Sequence, residues 1–212
     1  MTTNDTGPTW PAIEGRTLEQ AICLSRCGSY RRFYGMMQHF EARTCPFDPG
    51  NGFDPDLNHV IHHNSVFQVW VVGGQFNRKS DELDLYALIV PLAHTETITG
   101  HEPRFWTELG EAVDWVCQEF AVPGGMFGAR FGNVQYTAAT EQHLHFFVKV
   151  PNLLREVREP IAKSLDDVLK NTQRGERYAA LYARGITPDQ FDQLVATNCY
   201  NKEGFEILPK DQ

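Results

Sequence analysis

The segment from Gln142 to Val150 constrains the fold of this chain more tightly than any other. Leu144, Phe146, Val148 and Val150 alternate there with His143, His145, Phe147 and Lys149. Successive side chains of a strand point to opposite faces, so this pattern predicts a strand with one apolar face and one face carrying imidazoles, a phenyl ring and an amine. The first face is expected to pack and the second to line a cleft.

The remaining periodicities fill in partners for that strand. Phe105, Trp106, Leu109, Ala112, Val113, Val116, Cys117 and Phe120 recur at helical spacing between Pro103 and Phe120, which predicts a long amphipathic helix. Leu83 to Pro91 is a near-continuous apolar run and reads as a buried strand, while Asn58 to Val72 reads as two short strands about a turn near Asn64-Ser65. Pro123-Gly124-Gly125 ends the helix, and Met126 to Gly132 leads into a further strand. Strands mixed with segregated helices predict an α+β fold.

Toward the ends, residues 1–15 read as a loose arm and Thr17 to Glu41 as one helix weakened by Gly28 and Gly35. Ile161 to Lys170 reads as helical, and Thr187-Pro188-Asp189-Gln190 as a capped start with Thr at the N-cap, Pro at N1 and Gln at N3. The expected organisation is residues 1–44 as arm and helix, 45–152 as the central domain, and 153–212 as a helical extension packed on it.

Composition narrows the function classes. A formal net charge of -8 argues against a broad basic surface for extended nucleic acid, although a local anion site remains compatible with it. No apolar run approaches the roughly 20 residues needed to cross a bilayer, and the first eight residues lack a basic-then-apolar segment. Five scattered cysteines, an odd number, fit reduced thiols better than a disulfide framework. These features predict a cytoplasmic protein with no membrane partner.

Two histidines one residue apart on a strand lie about 7 Å apart along it and share a face, so both can act on one ligand. Thr137-Ala138-Ala139-Thr140 precedes the strand, and a loop of small and hydroxyl residues lets backbone amides and a Thr hydroxyl close on phosphate oxygens. An imidazole is a competent nucleophile near neutral pH, given an ordinary pKa of about 6.5.

With these features in order, the chain resembles the histidine-triad superfamily from about Cys45 to Asn152. The resemblance rests on Cys45-Pro46-Phe47, on Ile89-Val90-Pro91-Leu92-Ala93-His94, on the amphipathic helix, on Arg130-Phe131-Gly132-Asn133, on Thr140-Glu141-Gln142-His143-Leu144-His145 and on Val150-Pro151. It implies an antiparallel sheet packed with the long helix, and a purine nucleoside phosphate as ligand. It also implies attack by His145 on the α-phosphorus to form a nucleotidyl-histidine, with a phosphoanhydride, phosphoramidate or dinucleoside polyphosphate as substrate. His143 would orient His145, His94 would approach from a neighbouring loop, and Thr140, Ala139 and Asn133 would hold the substrate. No cofactor is implied, and many relatives are homodimers.

The third triad position is Phe147, which lines the substrate in this reading but cannot donate a hydrogen bond to phosphate. Loss of one such donor costs on the order of 10² to 10³ in rate, so a nucleotide-binding or regulatory protein without turnover stands beside the enzyme reading. Metal readings are weaker from sequence. Cys45 and Asp48 have no second Cys-x-x-Cys pair to complete a ligand set, and the small-residue loop favours phosphate over a metal held by His94, His143 and His145. His62-His63 are adjacent and point to opposite strand faces, Cys23 and Cys27 read as packing residues, and Gly73-Gly74 and Gly124-Gly125 read as turns.

Overall fold

The computed structural model describes residues 18–51, 60–72, 82–137, 139, 142–154, 156 and 171–206. These fall into two compact units, residues 44–162 and a unit built from both ends of the chain.

The central unit is a five-stranded antiparallel sheet. Its strands are β1 (Val60–His63), β2 (Phe67–Val71), β3 (Leu83–Pro91), β4 (Met126–Arg130) and β5 (His145–Pro151), in the order β1-β2-β3-β5-β4. The turn between β1 and β2 is held by Asn64, whose Oδ1 accepts from the amides of Val66 and Phe67 at 3.0 and 2.8 Å. Such side-chain capture of backbone amides is why Asn favours turns. β5 sits between β3 and β4, with Leu88 and Gly128 opposite Phe147 and with Arg130 opposite His145.

Helix α3 (Pro103–Glu119) covers one face of the sheet. Its buried Phe105, Leu109, Ala112 and Val116 pack on Phe67, Val69, Ala87, Ile89, Phe146 and Val148. Fully burying each large apolar side chain contributes about 1.5–3 kcal/mol, so this layer is the main source of stability for the unit. Trp106 and Phe120, expected on the same face, stand on its margin and are exposed.

On the opposite face, the expected cleft side, the side chains are also largely buried. Phe147, Leu88, Val90, Trp70 and Val72 form a second apolar cluster closed by Phe47. His143, His145 and Lys149 are buried with them. The alternation in β5 therefore separates two packed faces, one wholly apolar and one seeded with titratable groups.

In the second unit, the expected single helix over 17–41 is two, α1 (Leu18–Ser25) and α2 (Tyr30–Ala42). The break falls at Gly28-Ser29, where Ser29 is extended and its hydroxyl accepts from the Arg32 amide at 3.3 Å, capping α2. Gly35, by contrast, is carried inside α2. α4 (Thr172–Ala183) and α5 (Pro188–Ala196) pack with these helices through Tyr30, whose ring lies 5.4 Å from Tyr178 and 4.8 Å from Phe191. The Tyr30 hydroxyl donates to the Ile186 carbonyl at 2.6 Å, and Arg31 pairs with Asp189 and Asp192 at 2.7 and 3.1 Å. The expected helix over 161–170 lies outside the described residues.

Candidate functional site

The titratable face of β5 meets two other segments. Asp48 N donates to the Cys45 carbonyl and Asn51 N to the Asp48 carbonyl, a turn that brings the Cys45 thiol and the Asp48 carboxylate toward one point. The Gln68 amide, reaching from β2, donates to the Phe47 carbonyl at 2.7 Å and pins that turn to the sheet. The third segment follows β3 and carries His94.

At the meeting point the ring of His143 faces Cys45, Asp48 and His94. Its Nδ1 lies 3.4 Å from Cys45 Sγ and 3.5 Å from the Asp48 carboxylate, which also sits 3.1 Å from His94 Nδ1. One donor atom from each of these four residues lies within 4.8 Å of every other. Tetrahedral zinc with bonds of about 2.0–2.3 Å sets its ligand atoms roughly 3.3–3.8 Å apart, so the donor set matches such an ion in chemistry, and donors spaced up to 4.8 Å would draw in to bind it. Cys45 and Asp48 have no completing pair nearby along the chain because their partners are remote, His94 lying 46 positions from Asp48 and His143 lying 98 from Cys45.

His145 is held differently. Its Nδ1 donates to the main-chain carbonyl of His143 at 2.9 Å, which places the proton on Nδ1 and leaves the Nε2 lone pair available. His143 thus orients His145 through its backbone, while its own ring belongs to the Cys45 group. The Phe47 ring stands edge-on to both imidazoles, 5.7 Å from His143 and 5.3 Å from His145.

Burial governs the protonation of both rings. His145 is 3 % exposed, and desolvation pushes its pKa down to about 4, with the neighbouring positive charges of Arg130 and Lys149 acting in the same direction. His143 is pushed down to about 4, chiefly by burial and then by His94, against an opposing pull from Asp48. At neutral pH both are neutral imidazoles.

The other expected substrate residues fall in varied places. Phe147 is 6 % exposed and belongs to the apolar cluster, its ring lying across Gly128 so closely that a Cβ there would sit 2.7 Å from Phe147 Cζ. Asn133 opens the 3₁₀ turn Val134–Tyr136, its carbonyl accepting from Tyr136 N at 3.0 Å, and Ala139 is buried with its amide donating to Thr137 Oγ1 at 3.2 Å. Thr140 lies outside the described residues. Three residues were given no site role by the sequence reading. Phe47 gave no signal beyond its place in Cys45-Pro46-Phe47. Lys149 and Arg130 were legible in principle, since alternation puts Lys149 on the histidine face and Arg130 stands on the adjoining strand.

No family model matches the chain, and no curated protein matches it. Among solved structures, it is similar to a zinc-bound histidine triad family protein from Mycobacterium smegmatis, at 17% identity over 59% of this chain and 86% of that one, with a TM-score of 0.31. It is similar as well to a Hit-like protein involved in cell-cycle regulation from Bartonella henselae, at 13% identity over 57% and 86%, with a TM-score of 0.35. A hypothetical histidine triad nucleotide-binding protein from Sulfolobus tokodaii strain7 is similar at 14% identity over 61% and 88%, with a TM-score of 0.33. These three solved structures are described as histidine triad or Hit-like proteins; in this chain the His143-x-His145 pattern runs from the bend before β5 into its first residue.

Proposed function

We propose that this chain binds a nucleoside phosphate with its α-phosphorus at His145 and transfers the nucleotidyl group through a covalent adduct on Nε2. The supporting observation is the 2.9 Å hydrogen bond from His145 Nδ1 to the His143 carbonyl. Nε2 attacks phosphorus with its lone pair as the bond to the leaving group breaks, and the departing oxygen takes that electron pair. The ring becomes cationic in the adduct, and a carbonyl already accepting from Nδ1–H stabilises that charge. Water or another hydroxyl acceptor then attacks phosphorus and releases its proton to solvent, the P–N bond breaks, and its electron pair returns to Nε2.

Cys45, Asp48, His94 and His143 would hold a divalent ion in this reading. Four protein ligands leave no open position for water, so the chemistry such an ion supplies is structural: it ties the Cys45 turn and the His94 loop to β5. The proposed steps run on His145 alone.

A second reading, nucleotide binding without turnover, is favoured by the near-complete burial of His145 and by the apolar packing of Phe147. Titrating the protein with nucleoside mono-, di- and triphosphates while following both thermal stability and product release separates the two. The enzyme reading expects stabilisation in the wild type and in His145→Ala, with product only in the wild type. Stabilisation without product in either supports the binding reading, and stabilisation by none of the nucleotides contradicts both.

A further inference from the structure

Resting on the reading of His145 as a phosphorus nucleophile, we propose that Arg130, with Lys149 beside it, binds the phosphate oxygens of the substrate and supplies the donors that residue 147 lacks. Arg130 stands directly opposite His145 in the β4–β5 pair. Opposed residues of an antiparallel pair project to one face with Cβ atoms about 4.5–5.5 Å apart, so the arginine stem rises beside the imidazole.

From there the guanidinium reaches along the strands toward position 147. Its central carbon lies 5.6 Å from the centroid of the Phe147 ring, and the Lys149 ammonium lies 4.6 Å from the same centroid and 4.2 Å from that of Tyr86. Both cations therefore gather at the ring that occupies the third triad position. Gly128, the residue opposite Phe147, has no side chain, and that bare stretch of β4 is what admits the ring between Arg130 and Met126.

Guanidinium suits the task. It stays charged at any working pH and presents N–H groups in a planar fork that matches two phosphate oxygens at once. The local sign also runs against the net charge of -8 carried by the whole chain, so the positive face is a feature of this site.

A purely structural role, with the two cations only stapling β4 to β5 over an aromatic ring, makes a different prediction. The probes are inorganic tripolyphosphate, a nucleoside triphosphate and the uncharged parent nucleoside, titrated calorimetrically into wild type, Arg130→Gln, Arg130→Lys and Lys149→Met. The expected result is at least about tenfold weaker tripolyphosphate and triphosphate binding in Arg130→Gln, a smaller loss in Arg130→Lys and Lys149→Met, and nucleoside affinity unchanged within about twofold. Wild-type affinity for both phosphates should fall as salt rises. If Arg130→Gln fails to fold, Arg130→Lys carries the comparison, because it keeps the charge and loses the fork. Equal phosphate affinity in wild type and Arg130 variants overturns the proposal, as does a wild type that binds neither phosphate. Failure of the His145 chemistry is a separate outcome: phosphate binding that depends on Arg130 with no adduct on His145 leaves the cation site standing and removes the nucleophile.

Discussion

At the scale of single residues, the hydrogen bond from His145 Nδ1 to the His143 carbonyl selects one tautomer and burial keeps that ring uncharged. Because burial lowers the folded-state pKa to about 4 while the unfolded chain titrates near 6.5, the unfolded state takes up its proton first as pH falls. Stability from this residue is therefore fully present above about pH 6.5 and is lost as pH falls toward about 4. Denaturant unfolding of wild type and His145→Gln across that window should show a shallower decline in the variant, and parallel curves would contradict the neutral buried ring. Gly128 makes a second residue-scale prediction. A methyl group there meets the Phe147 ring at 2.7 Å, so Gly128→Ala should cost about 1–3 kcal/mol, the range for overpacking a tight site. The smaller side chain of Phe147→Leu in the same chain should recover part of that loss; a neutral Gly128→Ala would show that the ring is free to move.

Among the elements, α5 shows how far local sequence signals reach. Thr187 Oγ1 accepts from Gln190 N at 3.3 Å and Gln190 Oε1 accepts from Thr187 N at 2.9 Å, the capping box that Thr-Pro-Asp-Gln announces. Thr187→Ala should lower stability by about 1 kcal/mol, measured by chemical denaturation, with no change in nucleotide binding. β3, α3 and the β1–β2 hairpin were legible for the same reason, since periodicity and turn chemistry are local. The break at Gly28-Ser29 was harder to read. Gly28 and Gly35 look alike in sequence, and only the Ser29 hydroxyl capturing the Arg32 amide decides which one marks a boundary. The packing around the histidine side of β5 was not legible, because alternation says which residues share a face and not what covers it. Phe47, remote in sequence, closes that face.

On the scale of the whole molecule, His143 and His145 were found from spacing, while their division of labour depends on distant contacts. Cys45, Asp48 and His94 claim the ring of His143, and no spacing rule links those segments. This arrangement predicts that the protein purified without chelator carries about one equivalent of zinc-like metal by elemental analysis, and that chelation or Cys45→Ala lowers the melting temperature. A metal-free protein whose melting temperature ignores chelator would leave the four donors as a hydrogen-bonded cluster only. Adduct formation should survive brief chelation at temperatures where the protein stays folded, because the proposed steps pass through His145. The most direct measurement is intact-mass analysis, under mildly alkaline denaturing conditions, of protein mixed with a nucleoside triphosphate in a single turnover. The expected result is one added nucleotidyl group that maps to His145 and is absent in His145→Ala; a nucleotidyl group on another residue, or wild-type turnover with no adduct at any time point, would contradict attack by His145.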